Sequence, residues 1–423
     1  MLLRFSVQNF LSVRDFAEVS FVATSLKEHR NSLISSRYSN YGVLPVIAFY
    51  GANASGKSNF LSSINFMRSV VLNSFKGGES GSSIPIKSFL LDDESVHKPS
   101  TFVLDFVLSD TRYQFGFSLN RERIIEEWLY AFPKRVQQVL YSRNVESTEE
   151  YYFGRALAGS NRQIQSITRA NSLFISAAAT SGHPLLKNIF GYFKNNLIMK
   201  LSSGLLPDSV LGKKLSEDKE LLTEASKYLA MADTGITDVK VQENPISDVT
   251  KNQMAELFKV LGKITGDAFK SQAPDIDHKI QLGHSASGNT VKYLDFEDES
   301  LGTKYLFSLL PSLLAAIKSG GILVLDEITT SLHTLLARQL VTMFSNKEIN
   351  IHGAQLIFST HDTNLLSPGL LRRDEVWFAE KTREGATAIF SLSEIKTKNT
   401  DNIERGYLQG HFGAIPYLSS KWS

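Results

Sequence analysis

The stretch VLPVIAFYGANASGKS, Val43 to Ser58, decides how this chain is read. Its second half, Gly51 to Ser58, has the spacing G-x-x-x-x-G-K-S. Glycines let the backbone curl until successive N–H groups point inward, a nest suited to phosphate oxygens. The apolar run Val43 to Tyr50 predicts a strand entering that loop. Asn59 to Val70, with apolar Phe60, Leu61, Ile64 and Met67, predicts a helix leaving it, its positive end under the phosphates. In such a loop Lys57 reaches the β- and γ-phosphates and Ser58 offers its hydroxyl to Mg2+. Gly51, Asn53, Ala54, Ser55, Gly56 and Asn59 complete the expected ATP-binding set.

Composition sets the class. The chain has 423 residues, enough for more than one domain, and a net charge of +2 that leaves no polyanion-binding footprint. Nucleic acid therefore has no support from composition. Cysteine is absent, which excludes disulfides and thiolate metal sites. The opening MLLRFSVQNFLSV lacks the apolar core of a secretory leader, and no run reaches the roughly 18 apolar residues of a membrane span. A cytoplasmic protein with no membrane partner is expected.

Outward from the loop, the first fifty residues alternate as strands do: Leu3, Phe5, Val7, then Ala17, Val19, Phe21. Residues 101–142 predict further antiparallel strands, with Ser109-Asp110 as a hairpin turn. From about 150 the apolar spacing turns helical (Leu185 to Phe193, Ser216 to Ala232, Lys251 to Leu261), with one β-like piece at Ile236 to Val241. The expected organisation is an N-terminal lobe 1–149, a largely helical insertion 150–289 that recognises a partner, and a C-terminal lobe 290–423. The short basic pairs Lys134-Arg135 and Arg372-Arg373, with Lys396 and Lys398, read as a solvated face.

The last lobe carries acidic chemistry. Ile322 to Leu325 predicts a strand buried on both faces, ending in Asp326-Glu327. Carboxylates at the carboxyl end of such a strand lie where α/β sheets bind ligands. Asp326 is expected to hold Mg2+, and Glu327 to orient the attacking water. One helix length earlier, Ser300-Leu301-Gly302 opens an apolar helix whose N-terminus offers N–H groups to an anion. A later strand ends in Ser359-Thr360-His361-Asp362, where His361 can meet the γ-phosphate.

This order of elements resembles the ATP-binding-cassette superfamily, especially the branch with the SMC, Rad50 and RecF proteins. The resemblance implies an α/β ABC-type P-loop ATPase core: a mixed sheet with an antiparallel β subdomain and a helical insertion. It also implies head-to-tail dimers, in which Ser300 and Gly302 of one protomer close over ATP held by the other. Ser331-Leu332-His333 matches the loop that this superfamily places across the dimer seam. A narrower resemblance, carried by YGANASGKSNFL, IIEEWLY, TRANSLFIS, ESLGTKYLF, LDEITTSLH and YLQGHFGAIP, is to bacterial ATP-binding proteins of the RloA and AbiL kind. The ATPase subunits of the PARIS and retron-Septu systems are more distant. That resemblance implies an ATPase that restrains a separately encoded toxin or nuclease in antiphage defence. The alternatives are a DNA-binding repair ATPase of the RecF or Rad50 kind, and an ATP-binding scaffold with weak turnover. Arg405 and His411 have the spacing of a HEPN ribonuclease motif, which two intervening glycines oppose.

Overall fold

Strand β1 (Leu2–Gln8) buries Leu3, Phe5 and Val7 and pairs antiparallel with β2 (Ala17–Ser20). The fully buried β3 (Val46–Tyr50) then runs into the phosphate loop and the Lys57–Asn73 helix. Five strands follow: β4 (Ser100–Leu108), β5 (Thr111–Leu119), β6 (Ile124–Phe132), β7 (Gln138–Asn144) and β8 (Tyr151–Phe153). They join β1 in a seven-stranded antiparallel sheet, order β2-β1-β4-β5-β6-β7-β8. The expected turn is present: Ser109 and Asp110 both take positive φ, as a two-residue hairpin requires. These coordinates come from a computed structural model that describes the chain except at 78, 80, 202–206, 233, 234, 255, 257–274, 289, 399, 400 and 417–423.

The chain divides into two compact units, Met1–Ser203 with Ala315–Ser423, and Gly204–Leu314. This corrects the expected insertion. Residues 150–203, with the Asn161–Ile167, Phe174–Thr180 and Pro184–Asn195 helices and β9 (Leu197–Lys200), belong to the first unit. The second unit holds β10 (Ile236–Pro245), β11 (Ile276–Ala286) and β12 (Thr290–Asp295) in an antiparallel sheet, with the Asp208–Glu217 and Lys219–Met231 helices. Val239, Ile280 and Leu282 are buried with Leu211, Leu215 and Leu229, while Lys240 and Gln242 stay out of the core. With only one face covered, β10 carries few apolar residues, so its length was hidden in the sequence. The expected Lys251–Leu261 helix is helical at 251–254 and 256; the rest lies outside the described residues.

Returning to the first unit, β13 (Ile322–Leu325), β14 (Gln355–Ser359), β15 (Val376–Lys381) and β16 (Thr387–Ser391) complete a six-stranded sheet of order β16-β15-β3-β14-β13-β9. All neighbours are parallel except β15 and β16. The loop's helix lies between the sheets: the Phe60 ring is 5.6 Å from Phe5 of β1 and 5.2 Å from Phe49 of β3. Buried Gln355 stitches the sheets together. Its Oε1 accepts from Leu2 N–H at 2.6 Å, and its Nε2 donates to Leu2 O and Leu44 O. Among the described residues no helix is long and apolar enough to cross a membrane.

Two quoted stretches prove to be structural ties. The buried Glu127 of IIEEWLY accepts from Phe174 N–H, Ile175 N–H and Tyr141 Oη at 2.7, 3.0 and 2.7 Å. In TRANSLFIS, Arg169 donates to Ser74 O and Phe75 O, carbonyls at the end of the phosphate-loop helix. A basic pair needs correction as well. Lys134, Arg135, Lys396 and Lys398 are exposed, but Arg372 is 0% exposed. Its Nε and Nη2 each donate to Asp374 at 2.8 Å, and Asp374 accepts from Thr24 N–H and Oγ1. Arg373 reaches Glu28 at 3.2 Å. The sequence could not show this, because the partners at 24 and 28 lie far away along the chain. Arg372→Ala leaves the Asp374 charge buried and unpaired, so it is expected to cost about 3 kcal/mol, read by denaturant unfolding. A loss below about 1 kcal/mol would mean that the pair is solvated after all.

Candidate nucleotide site

The loop has the backbone of an anion nest. Ala54 takes φ +62°, in the left-handed region. A Cβ on Gly51 would lie 2.3 Å from Ala379 O, so only glycine lets β15 approach so closely. Asn53, Ala54 and Ser58 are exposed, Asn59 is half-buried, and Gly51, Ser55, Gly56 and Lys57 are buried. Lys57 is 5% exposed, and its Nζ donates to Gly51 O at 2.9 Å and Ala52 O at 3.0 Å. Burial lowers its pKa to about 8, against the opposing pull of Asp326 and Glu327.

The carboxylates sit one strand beyond β14. Ser359, at the end of β14, organises both of them. Its Oγ donates to Asp326 Oδ1 at 2.5 Å and accepts from Glu327 N–H at 2.8 Å. Glu327 takes φ +55°, a conformation costing a non-glycine residue about 1 kcal/mol or more. Thr330 offsets that strain by donating its Oγ1 to Glu327 Oε2 at 2.7 Å. His361 Nε2 lies 4.0 Å from Glu327 Oε1. Burial first and Lys57 second push the His361 pKa down, while Glu327 and Asp326 push it up. Lys57, Asp326, Glu327 and His361 thus share one electrostatic neighbourhood. Ser359 was missed in the sequence, where it read only as part of the strand leading to His361.

A cleft of about 660 Å3 opens beside the loop, lined by Gly51, Ala52, Asn53, His361 and Tyr407 among others. Tyr407, from the tail, stacks on Phe378 with centroids 5.5 Å apart. The Ile403–Leu408 helix stops before His411, so Arg405 and His411 do not share a helix face.

Ser300 and Gly302 belong to the second unit. Ser300 is exposed and caps the Leu301–Ser319 helix, its Oγ accepting from Thr303 N–H at 3.1 Å. The neighbouring Glu299 carboxylate is tied to His284 Nε2 at 2.6 Å. In the first unit, His333 caps the Thr334–Ser345 helix by accepting from Leu335 N–H at 3.3 Å.

A phosphate loop after β3, an acidic pair after β13 and a histidine after β14, on one mixed sheet flanked by an antiparallel one, define a P-loop nucleotide-binding fold. Residues 46–367 match the family described as "AAA domain, putative AbiEii toxin, Type IV TA system", and the chain belongs to that family. No curated protein matches the sequence. Among solved structures, the SMC head domain from Thermotoga maritima aligns at 12% identity and TM-score 0.40, over 94% of this chain and 99% of that one. The Pyrococcus furiosus Smc head domain bound to the C-terminal domain of ScpA aligns at 14% and 0.38, over 92% and 96%. The dimeric ATP-binding cassette MJ0796, in a post-hydrolysis state with ADP and Pi, aligns at 10% and 0.28, over 92% and 98%.

Proposed function

We propose that this protein is an ATPase that works as a head-to-tail homodimer and controls a separately encoded toxin or nuclease in antiphage defence. The observation that carries the reading is the meeting of Lys57, Asp326, Glu327 and His361 at the ends of β3, β13 and β14. Lys57 places a fixed positive charge at the β- and γ-phosphates, and the N–H groups of Gly51 to Asn59 surround them. Ser58 and Asp326 offer the hard oxygen ligands that Mg2+ prefers and would hold such an ion, which would supply positive charge against the γ-phosphate. Glu327, held in its strained conformation by Ser359 and Thr330, orients the attacking water. His361, held toward its neutral form, donates to a γ-phosphate oxygen.

A phosphate loop leaves one side of the γ-phosphate open, where developing charge is weakly stabilised. Ser300 and Gly302 of the other protomer fill that side in this reading. The exposed N-terminus of a 19-residue helix supports it, and so does the tie of Glu299 to His284, which occupies the nearest repelling carboxylate. The family's description, which names a toxin of a toxin–antitoxin system, supports a toxin-linked role, as does the likeness to RloA and AbiL proteins. The part of the second unit that precedes residue 290 is what we assign to effector recognition, since it supplies none of the residues given to the nucleotide site.

Mixing two dead variants tests the shared site. Ser300→Arg and Lys57→Ala are each expected to abolish turnover. A mixed dimer puts both lesions in one site and leaves the other whole, so an equal mixture is expected to regain about a quarter of wild-type turnover. No recovery from demonstrated mixed dimers would place the whole site within one chain or require both sites to fire together.

A further inference from the structure

The phosphate loop is backed by residues on either side of the segment 46–367 that matches the family. Ser12 follows β1, and Thr387 opens β16. Thr387 N–H donates to Ser12 O at 2.7 Å, and Thr387 Oγ1 lies 2.9 Å from Ser55 O and 2.8 Å from Ser12 Oγ. Asn59 Nδ2 donates to Ser12 Oγ at 2.7 Å. Thr387 is only 5% exposed.

A carbonyl only accepts, so the Thr387 hydroxyl is the donor to Ser55 O. The same Oγ1 lies against Ser12 Oγ, which accepts from the Asn59 amide. Asn59, Ser12 and Thr387 thus form one hydrogen-bonded relay that ends on the Ser55 carbonyl.

The receiving end of that relay is a peptide of the phosphate loop. The Ser55–Gly56 peptide is planar and trans, so its C=O and N–H point in opposite directions. Fixing Ser55 O against Thr387 therefore fixes where Gly56 N–H points. In a G-x-x-x-x-G-K-S loop the N–H groups near the second glycine hold phosphate. Gly56 itself takes φ +107°, and a Cβ there would lie 2.0 Å from Thr387 Oγ1 and 2.9 Å from Ser12 Oγ. The hydroxyl pair fills the space a side chain would need. The requirement for glycine thus has a local cause.

We propose that Thr387, supported by Ser12, is a positioning residue for nucleotide binding that aims Gly56 N–H at the phosphates. The inference rests on the ATP-binding reading above. It makes the first and last stretches of the chain working parts of the phosphate site.

ADP and pyrophosphate titrations of the full chain test it, since neither needs hydrolysis. Thr387→Val keeps the side-chain shape and removes the donor, and both dissociation constants are expected to rise about tenfold. Thr387→Ser, which keeps the hydroxyl, is expected to stay within about twofold of wild type. A purely structural role would not single out the hydroxyl in this way. Wild-type affinity in Thr387→Val overturns the inference alone, whereas a wild-type chain that binds neither ATP nor ADP overturns the ATPase reading with it. Should Thr387→Val fail to fold, Ser12→Ala breaks the relay one link earlier and is read the same way: weaker binding supports the inference, and unchanged binding overturns it.

Discussion

Glu327→Gln is expected to keep Mg-ATP bound while turnover falls about a thousandfold. The amide keeps the size of the side chain and can still meet Thr330 Oγ1, so the left-handed turn at Glu327 survives. What disappears is the negative oxygen near His361 to which the proposed mechanism gives the orientation of water. Asp326 stays in place, because its tie to Ser359 does not involve the Glu327 side chain. Single-turnover hydrolysis and an ATP titration of the same preparation separate the two effects. Turnover at the wild-type rate would move the base to another residue. The variant is also expected to accumulate as an ATP-bound dimer and to enrich the effector in co-purification; a monomer under saturating ATP would count against the head-to-tail arrangement.

Lys57→Ala is expected to abolish tight nucleotide binding, with affinity down at least about a thousandfold, because a buried charge-assisted contact to two phosphates is lost. Wild-type affinity in this variant would make the loop decorative. The lowered pKa adds a pH signature. Burial sets the Lys57 pKa at about 8 in the free protein, and the proposed contact with phosphate requires the charged form. Affinity is therefore flat with pH below about 8. Above it, binding must take up a proton, and affinity falls by up to about tenfold per pH unit. The slope belongs to Lys57, so residual binding by Lys57→Ala is expected to lack it. A wild-type profile that stays flat to pH 9.5 or so would mean that the lysine keeps its ordinary proton affinity.

The second unit and the basic pairs mark where local reading stops. Helical spacing from 185 to 193 is real, since Leu186, Ile189, Tyr192 and Phe193 are buried on one helix. Yet that helix packs in the first unit, and periodicity carries no information about which unit buries it. Arg372 and Arg373 look like any solvated pair until the loop carrying Thr24 and Glu28 folds over them.

By itself the sequence determined the parts whose chemistry is contiguous. The phosphate loop, its strand and its helix are one stretch, Val43 to Val70, and their spacing is dictated by nearest-neighbour geometry. The carboxylates Asp326 and Glu327 were legible because a strand buried on both faces must be apolar until it ends. Only the tertiary structure decided what holds these parts in register. Ser359 bridges the Asp326 carboxylate and the Glu327 backbone N–H, both more than thirty residues earlier in the chain, with sequence separations of 33 and 32. Ser12 and Thr387 meet across a separation of 375. A hydrogen bond between such residues leaves no period, spacing or composition in the sequence; it exists only after the two sheets have packed.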